Sequence, residues 1–391
     1  MSVAFEPFSD AAIADPYPQY AALRATDPVH WSPKLRAWVL FRHDDVAAVL
    51  RDDVHFTADR QAAARVTRPD APLREPGRVR TISSDPPDGL AIRAILNAAL
   101  VPRVRAIAPR VETIVDELLA DLAGRGEADV VADFAYALPI RVIAELLDIP
   151  TSDRPRFQQL SHRIARGMDR FYGADDAAAG LREMGAYFVG LVSERGDTPG
   201  DDLVRGLCRA EHDGDRLSPL ETVAMCTGLV FGGHETTVNL VANGVLALLR
   251  HPDELERLRT TPSLAVPAVE ELLRWDSPPQ FVSRVVRERC ELRGTALAAG
   301  DTVLVGIGPA NRDPDAFTAP DVLDVGRTPN PHLGFGLGTH FCPGAQLSRL
   351  EARAAIPALL ARFPRLRAGG EPVWWRSIIL RGLQRLPVLL D

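Results

Sequence analysis

A mainly α-helical fold with a small β region, of the α+β class, is predicted for these 391 residues on three observations. An apolar pattern runs at helical spacing across residues 217–249 without interruption. Residues 104–249 read as helical throughout, with breaks only at 124–126, at Ile149-Pro150 and at 196–200. Strand-like runs are short and lie near the two ends of the chain. No repeat, Gly/Ser linker or low-complexity tract marks a boundary, so residues 1–391 are expected to form one domain.

Composition narrows the function classes. Hydrophobic residues make up 46%, enough for a sizeable core. The formal charge of −7, from 45 basic and 52 acidic side chains, argues against general nucleic-acid binding. The four cysteines, Cys208, Cys226, Cys290 and Cys342, form no Cys-x-x-Cys pair, which disfavours a disulfide framework or a zinc site and fits a reducing cytoplasm. The N-terminal ten residues have neither a basic segment nor a long apolar run, so no signal peptide, membrane anchor or membrane partner is expected.

In chain order, residues 17–26 read as a helix, 29–31 and 38–41 as a hairpin turning over 32–36, and 44–51 as a second helix. Residues 60–84, rich in Arg and Pro, read as a long surface loop. Arg65, Arg68, Arg74, Arg78 and Arg80 on it could face an anionic substrate, although a solvated face is the plainer reading. Asp85-Pro-Pro-Asp88 then stops one element and starts another, with Asp88 as N-cap of a helix over 89–100. Arg163, Arg166 and Arg170 share one helical face, again most simply an exposed one.

The central helix opens at Ser218-Pro-Leu-Glu221, with an N-cap, a proline at the first position and a glutamate at the third. In its middle stands Phe231-Gly-Gly-His-Glu-Thr-Thr237. Paired glycines weaken a helix and a buried carboxylate must be desolvated, so this departure from core chemistry marks a functional segment. Without a functional role the same residues would read as a kink, with Thr236 bonding back to a carbonyl. Glu271 and Arg274, three apart on a later helix, share a face and can pair. Residues 277–284 cannot be helical, while 284–286 and 302–306 read as strands and 372–390 as a terminal hairpin.

The most informative stretch is Phe335-Gly-Leu-Gly-Thr-His-Phe-Cys-Pro-Gly344, followed by a helical pattern in which Leu347, Leu350 and Ala354 share a face. Gly336, Gly338 and Gly344 crowd around Cys342, where residues without Cβ let backbone press against a flat ligand. Amide N–H groups near the sulfur and the positive end of the following helix would favour a thiolate, so Cys342 is read as an iron ligand.

Phe-Gly-x-Gly-x-His-x-Cys-x-Gly resembles the haem-binding loop of the cytochrome P450 family, the haem-thiolate monooxygenases, and matches from Phe335 to Gly344 at every fixed position. The resemblance spans nearly the whole chain. It implies a P450-like fold with the long central helix over the haem, and haem b held through the Cys342 thiolate. It also assigns Gly232 and Gly233 to the small positions of the oxygen-activation segment, and Glu235 and Thr236 to its catalytic acid–alcohol pair. Reduction of dioxygen, the co-substrate, consumes protons, which such a pair would deliver.

By the same resemblance Arg93, Arg284 and His340 are propionate contacts, and Arg327 joins Glu271 and Arg274 in an ion-pair group that holds the Cys loop. Leu229, Phe281, Val282, Ile378 and Ile379 are expected to line the pocket for a small-to-medium organic substrate, in secondary metabolism. Electrons are expected from a ferredoxin and its reductase, with Arg93, Arg103, Arg105, Arg349 and Arg353 available to steer an acidic partner.

There are two departures from the family pattern. Gly89 stands where relatives usually have a His beside the propionate-binding Arg, and Pro343, which lacks an N–H, follows the cysteine. A peroxide-using or non-hydroxylating enzyme would keep the same loop, and a redox-inert haem protein would keep Cys342 without needing Glu235 and Thr236.

Overall fold

The computed structural model describes residues 4–67, 79–166, 174–196 and 198–391. Arg68, Arg74, Arg78 and Arg170, and the side chain of Arg166, lie outside the described residues.

The sheet that abuts the helices is built from short strands. Val29–Ser32 (β1) pairs antiparallel with Ala37–Leu40 (β2), and the Trp31 and Trp38 rings face each other across the pair at 5.2 Å. Phe56–Thr57 (β3) forms one edge, next to Phe281–Val286 (β4), and Thr302–Gly306 (β5) lies between β4 and β2. The spatial order is therefore β1-β2-β5-β4-β3, with β2 and β5 parallel and the other pairs antiparallel. A terminal hairpin joins Val373–Trp374 to Leu383–Arg385.

Helix bounds follow capping chemistry. The central helix, Pro219–Arg250, starts at a complete capping box: Ser218 Oγ accepts from the Glu221 N–H, and the Glu221 carboxylate accepts from the Ser218 N–H at 2.9 Å. At its far end His251 donates from Nδ1 to the Ala247 carbonyl at 2.7 Å, capping an orphan acceptor. Such a helix is about 48 Å long at 1.5 Å per residue. Its second half is buried on all sides, which suits the continuous apolar sequence there.

Two expectations need correction. The long loop is not structureless throughout, because Arg60–Thr67 forms a helix at its start. Nor is Asp88 an N-cap: it is the first residue of the helix Asp88–Ala106, and no side chain caps that end. Instead the backbone closes the turn, with the Gly89 N–H donating to the Asp85 carbonyl at 2.9 Å.

Candidate active site

The cysteine loop is held from both sides. The Cys342 N–H donates to the Phe335 carbonyl at 2.9 Å, and Gly336 and Gly338 take positive φ values of 71° and 73°, which only glycine adopts without strain. A Cβ on Gly338 would meet the Leu50 carbonyl oxygen at 2.6 Å, so this glycine lets the loop lie against the end of the helix His43–Arg51. Thr339 Oγ1 donates to Asp53 at 2.7 Å, and the helix Ala345–Arg362 begins immediately after Gly344.

Backbone N–H groups of Gly344 and Ala345 point at the Cys342 sulfur, while Pro343 contributes none. Burial nevertheless pushes the Cys342 thiol up, and these donors with Arg93 and Arg349 offset only part of that effect. The helix end is thus insufficient to make a thiolate unaided; a coordinated cation would supply the remaining stabilisation.

Arg93, on the helix Asp88–Ala106, donates to the carbonyls of Phe341 (2.6 Å) and Ile82 (3.3 Å), and its Nε is buried without a partner. Arg284, on β4, is buried and donates only to the neighbouring Ser283 carbonyl at 3.0 Å. Burial lowers the pKa of both guanidinium groups, and among the described residues neither forms an ion pair. One buried and one half-buried cation without a paired carboxylate form a site for an anionic group.

His340 is placed otherwise. Its Nε2 lies 3.4 Å from Asp85 Oδ1 and 3.9 Å from Asp53. Burial would raise Asp85, but contacts from His340, Thr57 and Arg287 outweigh it and hold the carboxyl well below the usual range. Sequence reasoning missed Asp85 and Asp53, because an Asp before two prolines reads simply as a turn. At Gly89, a Cβ would stand 1.9 Å from the Ser84 carbonyl oxygen. The backbone itself occupies the room that a His would need.

In the middle of the central helix one stripe of small residues reaches the surface. Ala224, Gly228, Gly232 and Thr236, four residues apart, are exposed or half-buried, with Leu229 and Gly233 beside them. A Cβ on Gly228, Gly232 or Gly233 would meet nothing within 4 Å. Thr236 Oγ1 donates to the Gly232 carbonyl at 2.7 Å, and the helix continues through that bond unbroken. Glu235 turns the other way: its Oε1 accepts from Tyr136 Oη at 3.2 Å and lies 3.3 Å from His162 Nδ1. Burial would raise Glu235, but the hydrogen bonds from His162 and Tyr136 lower it, so the carboxylate is held ionised.

The ion-pair group is compact. Glu271 accepts two bonds from Arg274, at 2.7 and 2.8 Å, and others from Arg327 Nε (3.0 Å) and the Asp324 N–H (2.9 Å). Arg274 and Arg327 also donate to carbonyls of residues 311–322, the segment that leads into the Cys loop.

Several expected positions differ. Phe281 and Ile378 do not face open space: both are buried in the cluster of Phe5, Tyr20 and Phe41, with Phe281 in edge contact with Tyr20 at 5.7 Å. Aromatic rings on β4 and the N-terminal helices fill that layer. Val282 and Ile379 are half-buried, and the Ile379 carbonyl accepts from the Gln280 N–H at 2.8 Å. Arg349 and Arg353 both bind Glu270, at 2.7 and 3.1 Å, and Arg103 binds Asp201 at 2.8 Å, while Arg105 is exposed. Arg80 is tied to Glu221 at 2.7 Å and Arg163 to Asp176 at 2.8 Å, whereas Arg65 faces solvent.

These residues fit a haem. One sulfur carries backbone donors, two guanidinium groups, one buried and one half-buried, lack paired carboxylates as two propionates require, and the long helix presents a strip of mostly small residues. Among the described residues no other His, Cys, Asp or Glu cluster could hold a metal, and no helix is long and apolar enough to cross a membrane.

Comparison with known proteins agrees. The family model for cytochrome P450 matches residues 263–371. Cytochrome P450 monooxygenase PikC of Streptomyces venezuelae is 40% identical, with 96% of this chain and 91% of that protein aligned. Vitamin D(3) 25-hydroxylase of Pseudonocardia autotrophica is 39% identical over 98% of this chain and 96% of its own. Among solved structures, the bacillaene polyketide synthase cytochrome P450 PksS of Bacillus subtilis superposes with a TM-score of 0.89 at 35% identity, covering 99% of this chain and all of the other. The chain belongs to the cytochrome P450 family and is a monooxygenase of the haem-thiolate class.

Proposed function

We propose that this monooxygenase inserts one oxygen atom of dioxygen into a bulky, mainly apolar product of secondary metabolism, working as one cytoplasmic catalytic unit with electrons from a ferredoxin and its reductase. The observation that carries the reading is the accessible stripe of Ala224, Gly228, Gly232 and Thr236, which leaves space along about three turns of the central helix. Relatives named for hydroxylation and polyketide biosynthesis support it, among them 6-deoxyerythronolide B hydroxylase of Saccharopolyspora erythraea, 39% identical over 98% of this chain.

When bound through Cys342, the haem supplies dioxygen reduction and C–H oxidation. The residues of this chain do the rest. Gly344 and Ala345 donate to the sulfur, while Arg93 and Arg284 would receive the propionates. Thr236 keeps a half-buried hydroxyl on the stripe, its proton on the Gly232 carbonyl, and Glu235 behind it stores a proton-accepting charge. Leu229, Val282 and Ile379 would border the substrate. Exposed Arg105 remains free to meet an acidic electron donor.

The test is the carbon-monoxide spectrum of the reduced protein beside Cys342→Ser, joined to Thr236→Ala. A strongly red-shifted Soret band lost in the Ser variant is expected, together with a rise in the share of dioxygen released as peroxide in the Ala variant. An unshifted band in both wild type and Ser variant would overturn the reading.

A further inference from the structure

The Glu235 carboxylate is sealed inside the molecule, with its side chain 7% exposed, yet two side chains distant in sequence meet its Oε1: Tyr136 Oη at 3.2 Å and His162 Nδ1 at 3.3 Å. The elements that deliver them differ. Tyr136 follows a π-helical turn, Val130–Ala135, capped by Asp129, and His162 lies on the helix Arg154–Arg166, which packs against the central helix. We propose that His162 is the entry point for protons to the active site, passing them from solvent to Glu235.

The neighbours exclude the other candidates. Burial and the adjacent carboxylate both push the Tyr136 phenol far up, so it holds its proton. His234 is fully buried, sits 2.8 Å from Ser161 Oγ, and is kept neutral by burial. Arg163, next to His162, turns away to Asp176 and Glu183. Of the two titratable groups bonded to Glu235, Tyr136 is half-buried but holds its proton, which leaves His162, with 28% of its side chain exposed and its ring against Trp375 at 5.1 Å and Tyr136 at 6.0 Å.

The residue type matters. A Lys or Arg here would neutralise the carboxylate but keep its own protons, whereas an imidazole takes a proton at one nitrogen and releases one from the other. In the proposed step a solvent proton adds to His162 Nε2, the Nδ1–H bond breaks, and that proton passes to Glu235 Oε1. Glu235, rotating its side chain toward the exposed Gly232 and half-buried Thr236, then releases that proton to water there. No electrons move, and proton exchange with solvent, loss from Nε2 and gain at Nδ1, restores the Nδ1–H tautomer. His162 acts only through Glu235, so this inference rests on the acid role given to Glu235 above.

The test compares His162→Gln, His162→Leu and Glu235→Gln. A glutamine at 162 can still donate to Glu235 but cannot relay, which separates holding from transfer. Infrared spectra of the resting holoenzyme should show a protonated carboxyl band in His162→Leu. The band should be absent from wild type and His162→Gln, and lost in the double variant with Glu235→Gln. Dioxygen consumption under reduction by ferredoxin should fall at least about tenfold in both His162 variants, with a larger solvent deuterium isotope effect.

A His162→Gln enzyme with wild-type rate and isotope effect would overturn the proposal and leave His162 a structural hydrogen-bond donor. Absence of the carboxyl band from His162→Leu would equally overturn the coupling. If Glu235→Gln itself changes neither rate nor isotope effect, the acid reading fails and this proposal fails with it. If Glu235→Gln slows the enzyme and His162→Gln does not, only the His162 step is lost.

Discussion

Glu271 and Arg274 form an ion pair at 2.7 Å in which neither side chain has any exposed surface. Removing one partner of such a pair leaves an uncompensated buried charge, at a cost of roughly 3–5 kcal/mol. Arg274→Leu should therefore lower the urea midpoint strongly and give protein depleted in haem, because the bonds to residues 311–322 go as well. Arg327→Leu, whose side chain is 11% exposed and at the rim of the group, should cost less. Equal urea midpoints for the two variants would contradict this ranking.

Acid stability should depend on Glu270. Burial would raise its carboxyl, but His332 and Arg349 outweigh that and bring it down to about 2. A carboxyl depressed in the folded state stabilises fully above its unfolded value, and that contribution disappears as pH falls from about 4.5 towards 2. The contribution is on the order of 2–3 kcal/mol. Glu270→Gln should thus be less stable than wild type at neutral pH and approach it only near pH 2, as followed by urea denaturation at each pH. Parallel stability curves would show that the group is not linked to folding.

Gly89→Ala places a methyl where the Ser84 carbonyl oxygen stands only 1.9 Å away. The start of the helix Asp88–Ala106 must shift, at a cost of about 1–3 kcal/mol as for other overpacked sites. Gly89→His, although it restores the residue usual in relatives, should also destabilise and should not slow haem loss to apomyoglobin. Slower loss in the His variant would mean that the Ser84 turn gives way easily.

Pro343→Leu adds a backbone N–H next to the sulfur, beyond those of Gly344 and Ala345. A hydrogen bond worth about 1 kcal/mol that favours the reduced state would raise the reduction potential by roughly 40 mV. Redox titration of both proteins checks it, and an unchanged or lower potential would remove the argument.

Much of the fold was legible from local pattern. The helix Tyr17–Thr26 and the strand Thr302–Gly306 have the bounds read from the sequence, because apolar spacing and flanking Pro or Gly act over a few residues. The helix over Arg60–Thr67 was not, since its mean hydropathy is low and Arg-rich residues without an apolar face read as loop. Pocket residues were the least legible: Phe281 and Ile378 are apolar in the right segments, but burial in the aromatic cluster around Tyr20 depends on which face of β4 the N-terminal helices cover.

By itself the sequence determined the chemistry-bearing segments: the Cys342 loop, the Gly232 to Thr236 segment, the Ser218–Glu221 capping box, and a Glu271–Arg274 pair three residues apart. Each follows from residues close enough in the chain for spacing to place them on one face or in one turn. The tertiary structure alone decided that His340 stands against Asp85, that the Ser84 carbonyl fills the place of a side chain at Gly89, and that His162 meets Glu235 across 73 residues. Such contacts depend on how separate elements pack together, and that is set by the shape of the whole core, with no local pattern in the chain to announce it.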